Sequence, residues 1–456
     1  MRNITASIIS KARGWLGFLS SHGSHVQVGT VPAPPSAPSN AGVQVDRPAD
    51  HLISDRIQAF AGWTSGLEDQ QLSAVCQGRE MALIRFPYPS LENAGLHGFG
   101  TYFLAQDLLS STPEPYVNVE ILASHRIVAR VPLRLSPLVR ELARDFPLST
   151  KRYPVLNRSA GQKAENSQPA GNEPPVVVFP GVASVGGCSL NLLIRLEMIR
   201  RGWGFPMYWE ANDEDLWRRL CARSQPDLRW IDGHACYRSG EALRRPSVRV
   251  TLLRDPVKRA ISFYNYAVVV HPYDFPYPTF DDFLESGAAR HHSQCQILLR
   301  FAGAGDTDRL GNLELYRQAK AELNRSYCLV GITEYFEETV FLIAELLGLK
   351  DVGMWSRVLA SPKTIELDRL SAEQRRRLES QVQADLLLYH DQKLLFEELL
   401  GKKDFGDPLR AYKQDAAGEK HLPDHLKMVE CLRWRQVLAE EELLALRPHH
   451  RKPELI

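Results

Sequence analysis

Three features that often reveal a function are scarce or missing in this sequence of 456 residues. Its seven cysteines are scattered without a Cys-x-x-Cys pair, which argues against a disulfide scaffold or a structural zinc site and favours a reducing compartment. No apolar run reaches the ~18 residues that a membrane span needs. The formal net charge is +1, too small for an overall polyanion-binding field. We therefore predict a cytoplasmic protein with no transmembrane segment, no metal and no nucleic-acid partner.

Hydrophobic residues make up 44% of the chain and charged residues 24%, as in ordinary globular proteins of two or three domains. Residues 1–50 are predicted to be an N-terminal segment and linker, because residues 28–50 are rich in Pro, Ser, Ala and Gly. Within residues 1–23 the apolar positions fall near one helical face beside basic residues. This pattern fits either an interfacial helix with weak membrane-surface contact or a weakly ordered segment without a membrane role.

Residues 51–150 show short alternating strands with frequent turns, which predict a small β-sandwich-like accessory module. Two of these strands, Val117–Leu122 and Arg126–Val131, are separated by a gap of hairpin length that lacks an Asn-Gly or Asp-Gly signal. Residues 151–174 are polar and are interpreted as an interdomain linker.

A strand signal at Pro174–Phe179 runs into the glycine-bearing turn Pro180–Leu190 and then into a helical pattern. Strand, glycine turn and helix are the arrangement of a phosphate-binding loop, in which backbone N–H groups surround the anion. The turn does not close with Gly-Lys-Ser/Thr, so it is not the loop of nucleotide triphosphatases.

A second strand signal at Val248–Leu253 leads into Arg254 and then into a helix that begins near Pro256. Arg254 therefore lies at the carboxyl end of a strand, where ligands bind in open α/β sheets. Together with Ser262, two turns into the helix, it is a candidate for holding one phosphate. The alternative is an ordinary loop arginine and a serine on a helix face.

Strands and helices alternate over residues 175–400, which predicts an α/β domain with a parallel sheet flanked by helices. Residues 401–456 are predicted to be a helical C-terminal extension. Its last amphipathic helix, His425–Leu446, either packs on the domain or mediates homo-oligomer formation.

The two loop stretches together resemble the family-2-type sulfotransferases, which include carbohydrate sulfotransferases and many bacterial relatives. The family's Leu-Arg-Asp-Pro-x-x-Arg-x-x-Ser-x-Tyr motif is matched at every defined position from Leu253 to Tyr264. Its Pro-Lys-x-Gly-Gly-Thr-Ser-Leu motif is matched at the two glycines, the serine and the leucine. Cys188 stands where Thr is usual, and Ser184 stands at the lysine position. Segments around Gly233 and Val330–Phe336 also resemble the family, over roughly residues 175–400.

The resemblance implies the P-loop-like sulfotransferase fold and PAPS (3′-phosphoadenosine 5′-phosphosulfate) as the donor. It implies direct in-line transfer of a sulfuryl group to a hydroxyl of a carbohydrate or related acceptor. Arg254 and Ser262 would then hold the 3′-phosphate of the donor. The 5′ side would be bound by the loop, at Ser184, Gly186, Gly187, Cys188 and Ser189.

His234 is the predicted catalytic base, because it lies between the two motifs and an unperturbed imidazole accepts a proton near pH ~6.5. Glu210 is the second candidate, in an acidic stretch that fits a solvated face equally well. Lys363 is a candidate replacement for the missing loop lysine. The pair His291–His292 lacks a metal-ligand neighbour at a suitable spacing and is interpreted as surface or acceptor-site residues.

Two other functions remain open from the sequence. The absence of lysine at Ser184 also fits a degenerate, non-catalytic relative that binds a nucleotide or glycan. In that case no cationic side chain would reach the loop. A nucleotide-dependent kinase would instead require magnesium-dependent ATP binding, against which the missing Gly-Lys-Ser/Thr argues.

Overall fold

A computed structural model describes about two thirds of the chain. The described residues are 43–47, 52–53, 57–65, 67, 70–86, 96–109, 116–145, 149–155, 175–201, 207–209, 228–233, 236–237, 241, 243, 246–270, 277–353 and 365–418. No helix within these ranges has the length and apolar character to cross a membrane. The predictions for residues 1–23 and for the helix His425–Leu446 lie outside them.

The N-terminal part consists of nine strands in two sheets. The strands are β1 (Val43–Arg47), β2 (Leu52–Ile53), β3 (Ile57–Ser65), β4 (Leu72–Cys76), β5 (Arg79–Ala82), β6 (Ile84–Phe86), β7 (Leu96–Leu104), β8 (Tyr116–Ala123) and β9 (Arg126–Leu135). One sheet has the order β1-β3-β7-β6 and the other the order β2-β9-β8-β4-β5. All pairings are antiparallel except β2 with β9. A helix, α1 (Pro137–Asp145), follows β9.

The two sheets bury one shared core. Phe60, Phe99 and Phe103 from the first sheet are fully buried, and they belong to the same cluster as Val119 and Ile121 from the second. The sequence suggests one continuous strand over residues 81–86, but the structure has two strands in different sheets. The chain crosses between the sheets at Leu83, whose buried side chain joins the shared core.

The hairpin between β8 and β9 has a two-residue turn, Ser124–His125, in which both residues have positive φ angles of 47° and 66°. Two successive residues with positive φ match the right-handed twist of the flanking strands. Neither residue is glycine or asparagine, which explains why the sequence gives no strong turn signal here.

The second part is the predicted α/β domain. Its strands are β11 (Val176–Pro180), β12 (Met207–Trp209), β13 (Trp230–Gly233), β14 (Ser247–Leu253) and β15 (Leu329–Ile332), after the short β10 (Arg152–Pro154). The five strands are all parallel and have the order β12-β13-β11-β14-β15. Every residue of the central β11 is buried. The prediction of an α/β fold with a parallel sheet flanked by helices is confirmed.

The helices of this domain form two buried clusters, one shared with the sheet and a separate one within residues 257–289 and 378–382. They are α2 (Gly187–Arg200), α3 (Pro256–Val270), α4 (Phe280–Glu285), α5 (Ala288–His291), α6 (Gln294–Phe301), α7 (Asn312–Ser326), α8 (Phe336–Leu346), α9 (Ala372–Gln381), α10 (Gln383–Gly401) and α11 (Gly406–Gly418). The helix α11 lies within the predicted helical C-terminal extension, in a stretch whose sequence is polar. Its single buried residue is Tyr412, whose ring meets those of Tyr153 and Phe341.

The beginning of the predicted linker is part of the domain. β10 pairs antiparallel with β16 (Asp351–Gly353), so residues 152–154 are a strand and not a linker. Glu197 of α2 is fully buried beneath this ribbon, where it accepts a bidentate pair of hydrogen bonds from Arg152 at 2.7 Å each and another from the N–H of Gly353. Arg201 also contacts Glu197. The carboxylate stabilises the ribbon against α2 because the arginines and the amide replace its water.

We expect the full-length Glu197→Gln variant to lose about 3–5 kcal/mol of unfolding free energy, because removing one partner leaves the arginines beside a buried neutral group. Urea unfolding of the two proteins measures the difference. The matched control is Glu120→Gln, which breaks the exposed pair with Arg130 and is expected to cost no more than about 1 kcal/mol. Equal losses in both variants would contradict the importance of the buried ion cluster.

Candidate functional site

The site lies at the carboxyl edge of the parallel sheet, where the neighbouring strands β11 and β14 end. The chain leaves β11 for strands on one side of the sheet and leaves β14 for β15 on the other side. Neighbouring strands whose connections diverge leave a crevice outside their carboxyl ends, which is the usual ligand site of open α/β sheets. The two lips of this crevice are the loop 181–186 after β11 and the segment Arg254–Asp255 after β14.

The loop 181–186 has an irregular backbone with two left-handed residues. Ser184 has a φ of 66° and Gly186 a φ of 88°. Gly186 adopts this conformation without steric cost because it has no Cβ atom, whereas Ser184 is strained by its side chain. A Cβ atom on Gly187 would stand 3.3 Å from the ring of Phe179, so a side chain there would crowd the end of β11. Non-glycine residues with positive φ are concentrated at functional loops.

Three consecutive carbonyl groups of the loop are held by side chains from elsewhere in the domain. The Ala183 carbonyl accepts a hydrogen bond from Arg259 at 3.4 Å, and the Ser184 carbonyl accepts one from Arg254 at 3.0 Å. The Val185 carbonyl lies 2.5 Å from the hydroxyl of Thr333. These three contacts fix the direction of the peptide groups on which the loop's shape depends.

Most N–H groups of the same loop are not used in this way, although that of Gly181 donates to the Gly233 carbonyl. Within the described part of the chain, residues 182–187 donate no backbone hydrogen bond, whereas the next two helix residues, Ser189 and Leu190, both donate to the Gly186 carbonyl. The helix α2 begins at Gly187, so its positive dipole end points toward the same loop. A row of available N–H groups at a helix start is suited to an anion such as phosphate or sulfate.

Arg254 is held through its backbone as well as its side chain. Its N–H donates to the side-chain oxygen of Gln294 at 2.9 Å, and its carbonyl accepts from the same side chain at 2.9 Å. Gln294 begins α6, and its own N–H donates to the buried Asp385 at 2.7 Å. These contacts fix the backbone of Arg254 relative to the buried Asp385. The position from which its side chain reaches the loop is therefore determined by the core of the domain.

Arg259 is fully buried beneath the loop. Burial lowers its pKa and the charge of Arg254 lowers it further, while the negative charge of Asp385 opposes both. An arginine nevertheless stays protonated in proteins, so a second positive charge lies under the loop. Besides the Ala183 carbonyl, Arg259 donates to the carbonyl of His292. It therefore links the loop to the turn between α5 and α6.

The residues after β15 contact both lips of the crevice. The Thr333 hydroxyl lies within hydrogen-bonding distance of Val185 on one lip and, at 3.0 Å, of the Leu253 carbonyl at the end of β14. The next residue, Glu334, accepts a hydrogen bond from the N–H of Asp255 at 3.2 Å. Its other carboxylate oxygen accepts from Tyr389 of α10 at 3.1 Å. Burial, and then the charge of Glu334, raise the pKa of this tyrosine, so it acts as the donor.

A buried ion pair anchors the helix that follows the loop. Arg195 of α2 and Asp232 of β13 are both fully buried, and they are joined by two hydrogen bonds of 3.0 and 2.6 Å. The indole N–H of Trp230 donates to the same carboxylate at 2.9 Å. Because α2 is fixed to the neighbouring strand, its first turn keeps its position relative to the sheet edge.

The structure brings several predicted site residues together. Gly186 and Gly187 lie at the start of α2 with Cys188 and Ser189, and Arg254 contacts the loop at Ser184. Ser262 lies two turns into α3 and is half-buried. His234, Glu210 and Lys363 lie outside the described residues, so their predicted roles stay predictions.

The sequence does not predict the roles of Arg259 and Thr333. Each matches a family motif, Arg259 in the motif that contains Arg254 and Thr333 within Val330–Phe336, but no separate signal marks either one. Nothing in the local pattern shows that they bind carbonyls of a loop ~70–150 positions earlier in the chain. Over the described ranges, no group of three or more His, Cys, Asp or Glu residues is arranged to hold a metal ion.

His292 provides a pH test of the region beneath the loop. Its ring centre is 4.7 Å from that of Phe263, and its own carbonyl binds Arg259. Burial, followed by the positive charges of Arg259 and Arg300, lowers its pKa from 6.5 to about 4. Between these pH values the unfolded chain binds a proton that the folded protein does not, so folding stability falls as the pH drops from 6.5 toward 4.

We expect the His292→Gln variant to lose less stability than the wild type over this pH interval. Urea unfolding at several pH values between 7 and 4 measures the slope for each protein. The control is His390→Gln, the same replacement at an exposed position of α10. A wild-type slope in His292→Gln would mean that this histidine is not held neutral in the folded protein.

Comparisons of the whole chain with protein-family models and with curated proteins find no match.

Proposed function

We propose that this protein is a PAPS-dependent sulfotransferase, with its donor site in the crevice between β11 and β14. The observation that carries the proposal is the phosphate-type loop whose carbonyls are held by Arg254, Arg259 and Thr333, while the N–H groups of residues 182–187 remain available. This arrangement suits a bound 5′-phosphosulfate. The sulfotransferase fold is proposed on the same grounds and on the motif resemblance.

In the proposed complex the N–H groups of Gly186 and Gly187, together with the side chains of Cys188 and Ser189, bind the 5′ side of the donor. Ser262 and Arg254 bind its 3′-phosphate, as the resemblance implies. Sulfuryl transfer requires the acceptor oxygen, the sulfur and the leaving oxygen to stand in line, and it requires positive charge near the leaving oxygen. The helix α2 contributes its dipole end to that charge.

The loop lacks the family's lysine, since Ser184 stands at that position. Losing one preorganised electrostatic donor typically costs ~3–4 kcal/mol of transition-state stabilisation. The guanidinium of Arg254, 3.0 Å from the Ser184 carbonyl, and the buried Arg259 both reach the loop that lacks it. Two cations at the loop favour an active enzyme over a relative that only binds a nucleotide or glycan.

The acceptor is proposed from the resemblance alone, as a hydroxyl of a carbohydrate or related molecule. His234 is the proposed base, with Glu210 as the alternative. Lys363 is proposed as a further cation, because it lies where relatives have a loop that returns to the donor site. A cytoplasmic location is proposed from the scattered cysteines of the sequence, of which the five in the described residues are in no disulfide bond. The oligomeric state is proposed only as a homo-oligomer formed through the C-terminal extension.

The donor site is tested by calorimetric titration with 3′-phosphoadenosine 5′-phosphate. We expect micromolar binding by the wild type, and binding about 10- to 100-fold weaker in Arg254→Ala, because a charged hydrogen-bond donor is lost. The control is Arg249→Ala, which removes the same charge from the amino-terminal half of β14. Its binding should stay at the wild-type level. Absence of binding by the wild type would refute the donor site.

Transfer is tested by incubating the protein with PAPS and a panel of sugars and other alcohols, and by following release of 3′-phosphoadenosine 5′-phosphate. Acceptor-dependent release without added magnesium is the expected result, since sulfuryl transfer from PAPS needs no metal. Nucleotide binding without transfer to any acceptor would favour the non-catalytic binding protein. Magnesium-dependent binding of ATP in preference to PAPS would favour the kinase.

A further inference from the structure

We infer that the turn Thr333–Glu334 is a spacer that sets the distance between two phosphate subsites, and that Thr333 is a positioning residue for donor binding. The inference rests on the proposed function, since it assumes a donor with phosphates on both lips of the crevice. It adds a role for a turn that does not itself belong to the loop or to α3.

The first argument is that one hydroxyl spans both lips. Thr333 lies 2.5 Å from the Val185 carbonyl of the loop and 3.0 Å from the Leu253 carbonyl at the end of β14. A hydroxyl has a single proton, so it donates to one carbonyl at a time and stays close to both. Its methyl group also lies near the loop, 3.7 Å from where a Cβ of Gly186 would be.

The second argument is that the neighbouring residue holds the other lip from the same turn. Glu334 accepts the N–H of Asp255, and the side chain of Asp255 in turn accepts the N–H of Lys258 in the first turn of α3. The beginning of α3 is thereby tied to the turn through Glu334, and the loop is tied to it through Thr333. Ser262, proposed for the 3′-phosphate, lies on this helix.

The third argument is that the turn itself has little freedom. It follows directly from β15, which pairs with β14 in parallel up to Ile332, and it leads without a gap into α8. Tyr389 of α10 holds Glu334 from outside at 3.1 Å. Gly331 allows the close approach of Thr339, whose side chain would stand 2.3 Å from a Cβ at that position. The turn is thus held by the sheet before it, by α8 after it and by α10 beside it.

A ligand that binds both lips gains affinity only if the two subsites stand at the correct distance. Adenosine 5′-phosphate uses the loop alone, whereas 3′-phosphoadenosine 5′-phosphate uses both lips. The dissociation constant of adenosine 5′-phosphate divided by that of 3′-phosphoadenosine 5′-phosphate gives the affinity gained from the 3′-phosphate. This ratio therefore reports whether the two subsites stand at the correct distance. A mutation that only destabilises the fold leaves this ratio unchanged, because it acts on both ligands equally.

The experiment is calorimetric titration of both nucleotides into the full-length wild type, Thr333→Val and Thr333→Ser. We expect Thr333→Val to reduce the affinity gained from the 3′-phosphate by about fivefold to tenfold, the scale of one lost hydrogen bond. Thr333→Ser keeps the hydroxyl and should retain the wild-type ratio. Glu334→Ala should reduce the ratio as Thr333→Val does, since it releases the second lip.

The matched control is Thr307→Val, which removes a buried threonine hydroxyl that donates to the side chain of Gln296 at 2.7 Å and forms no hydrogen bond to either lip or to the turn. It should lower the unfolding midpoint comparably and leave the ratio unchanged. An unchanged ratio in Thr333→Val, or an equal reduction in Thr307→Val, would overturn the inference while leaving the donor site intact. Failure of the wild type to bind either nucleotide would overturn the donor site and the inference with it.

Discussion

The shape of the candidate site depends on how the loop between β11 and α2 satisfies its carbonyl groups. A loop at a sheet edge has no ladder to bind its peptide groups, and buried or half-buried carbonyls need partners. Here three successive carbonyls receive them from Arg259, Arg254 and Thr333. In a trans peptide group the C=O and the following N–H point in opposite directions. Side chains that bind the carbonyls on one side of the loop therefore leave its N–H groups facing the other side. The anion binding proposed for the loop thus depends on residues outside the loop.

The same contacts bring positive charge to a loop that has no charged residue of its own. The loop contains no charged residue from Gly181 to Ser189, and its helix supplies only a dipole. Two guanidinium groups reach it from β14 and α3, and the buried Asp385 stands near enough to moderate Arg259. Asp385 also binds the two N–H groups that begin α6. A partly neutralised cluster is less costly to bury than two unpaired arginines.

The sequence predicts those parts of the site that are built from neighbouring residues. The buried runs before Pro180 and Arg254 indicate β11 and β14, and the glycines 186 and 187 indicate the turn, because strand and turn patterns are local. Thr333 could not be found in this way, since its partners lie ~80 and ~150 positions away and no period links them. The turn Ser124–His125 is local, but the sequence gives no strong signal for it, because serine and histidine are uncommon at positive φ angles.

The ribbon of β10 with β16 was also missed, because a three-residue strand has a weak pattern. The helix α11 was predicted only as part of a helical extension, because its own sequence is polar. Long-range contacts decide their structure: Lys151 binds Asp415 at 2.7 Å, and the hydroxyl of Tyr153 donates to the same carboxylate. The pairing of β10 is needed to cover the buried Glu197. An interpretation of residues 151–174 as a linker follows from composition alone, and composition does not report such pairing.

The meeting of Tyr153 with Tyr412, whose ring centres are 5.0 Å apart, brings the first and last described segments of the α/β domain side by side. A domain whose two ends meet can receive a new connection there without a change in its interior. It is therefore suited to circular permutation, with residues 149 and 418 joined and new termini opened in a surface loop. A pulling force applied to those two ends would likewise load this small aromatic contact before it reached the sheet, so the crevice between β11 and β14 would be mechanically shielded.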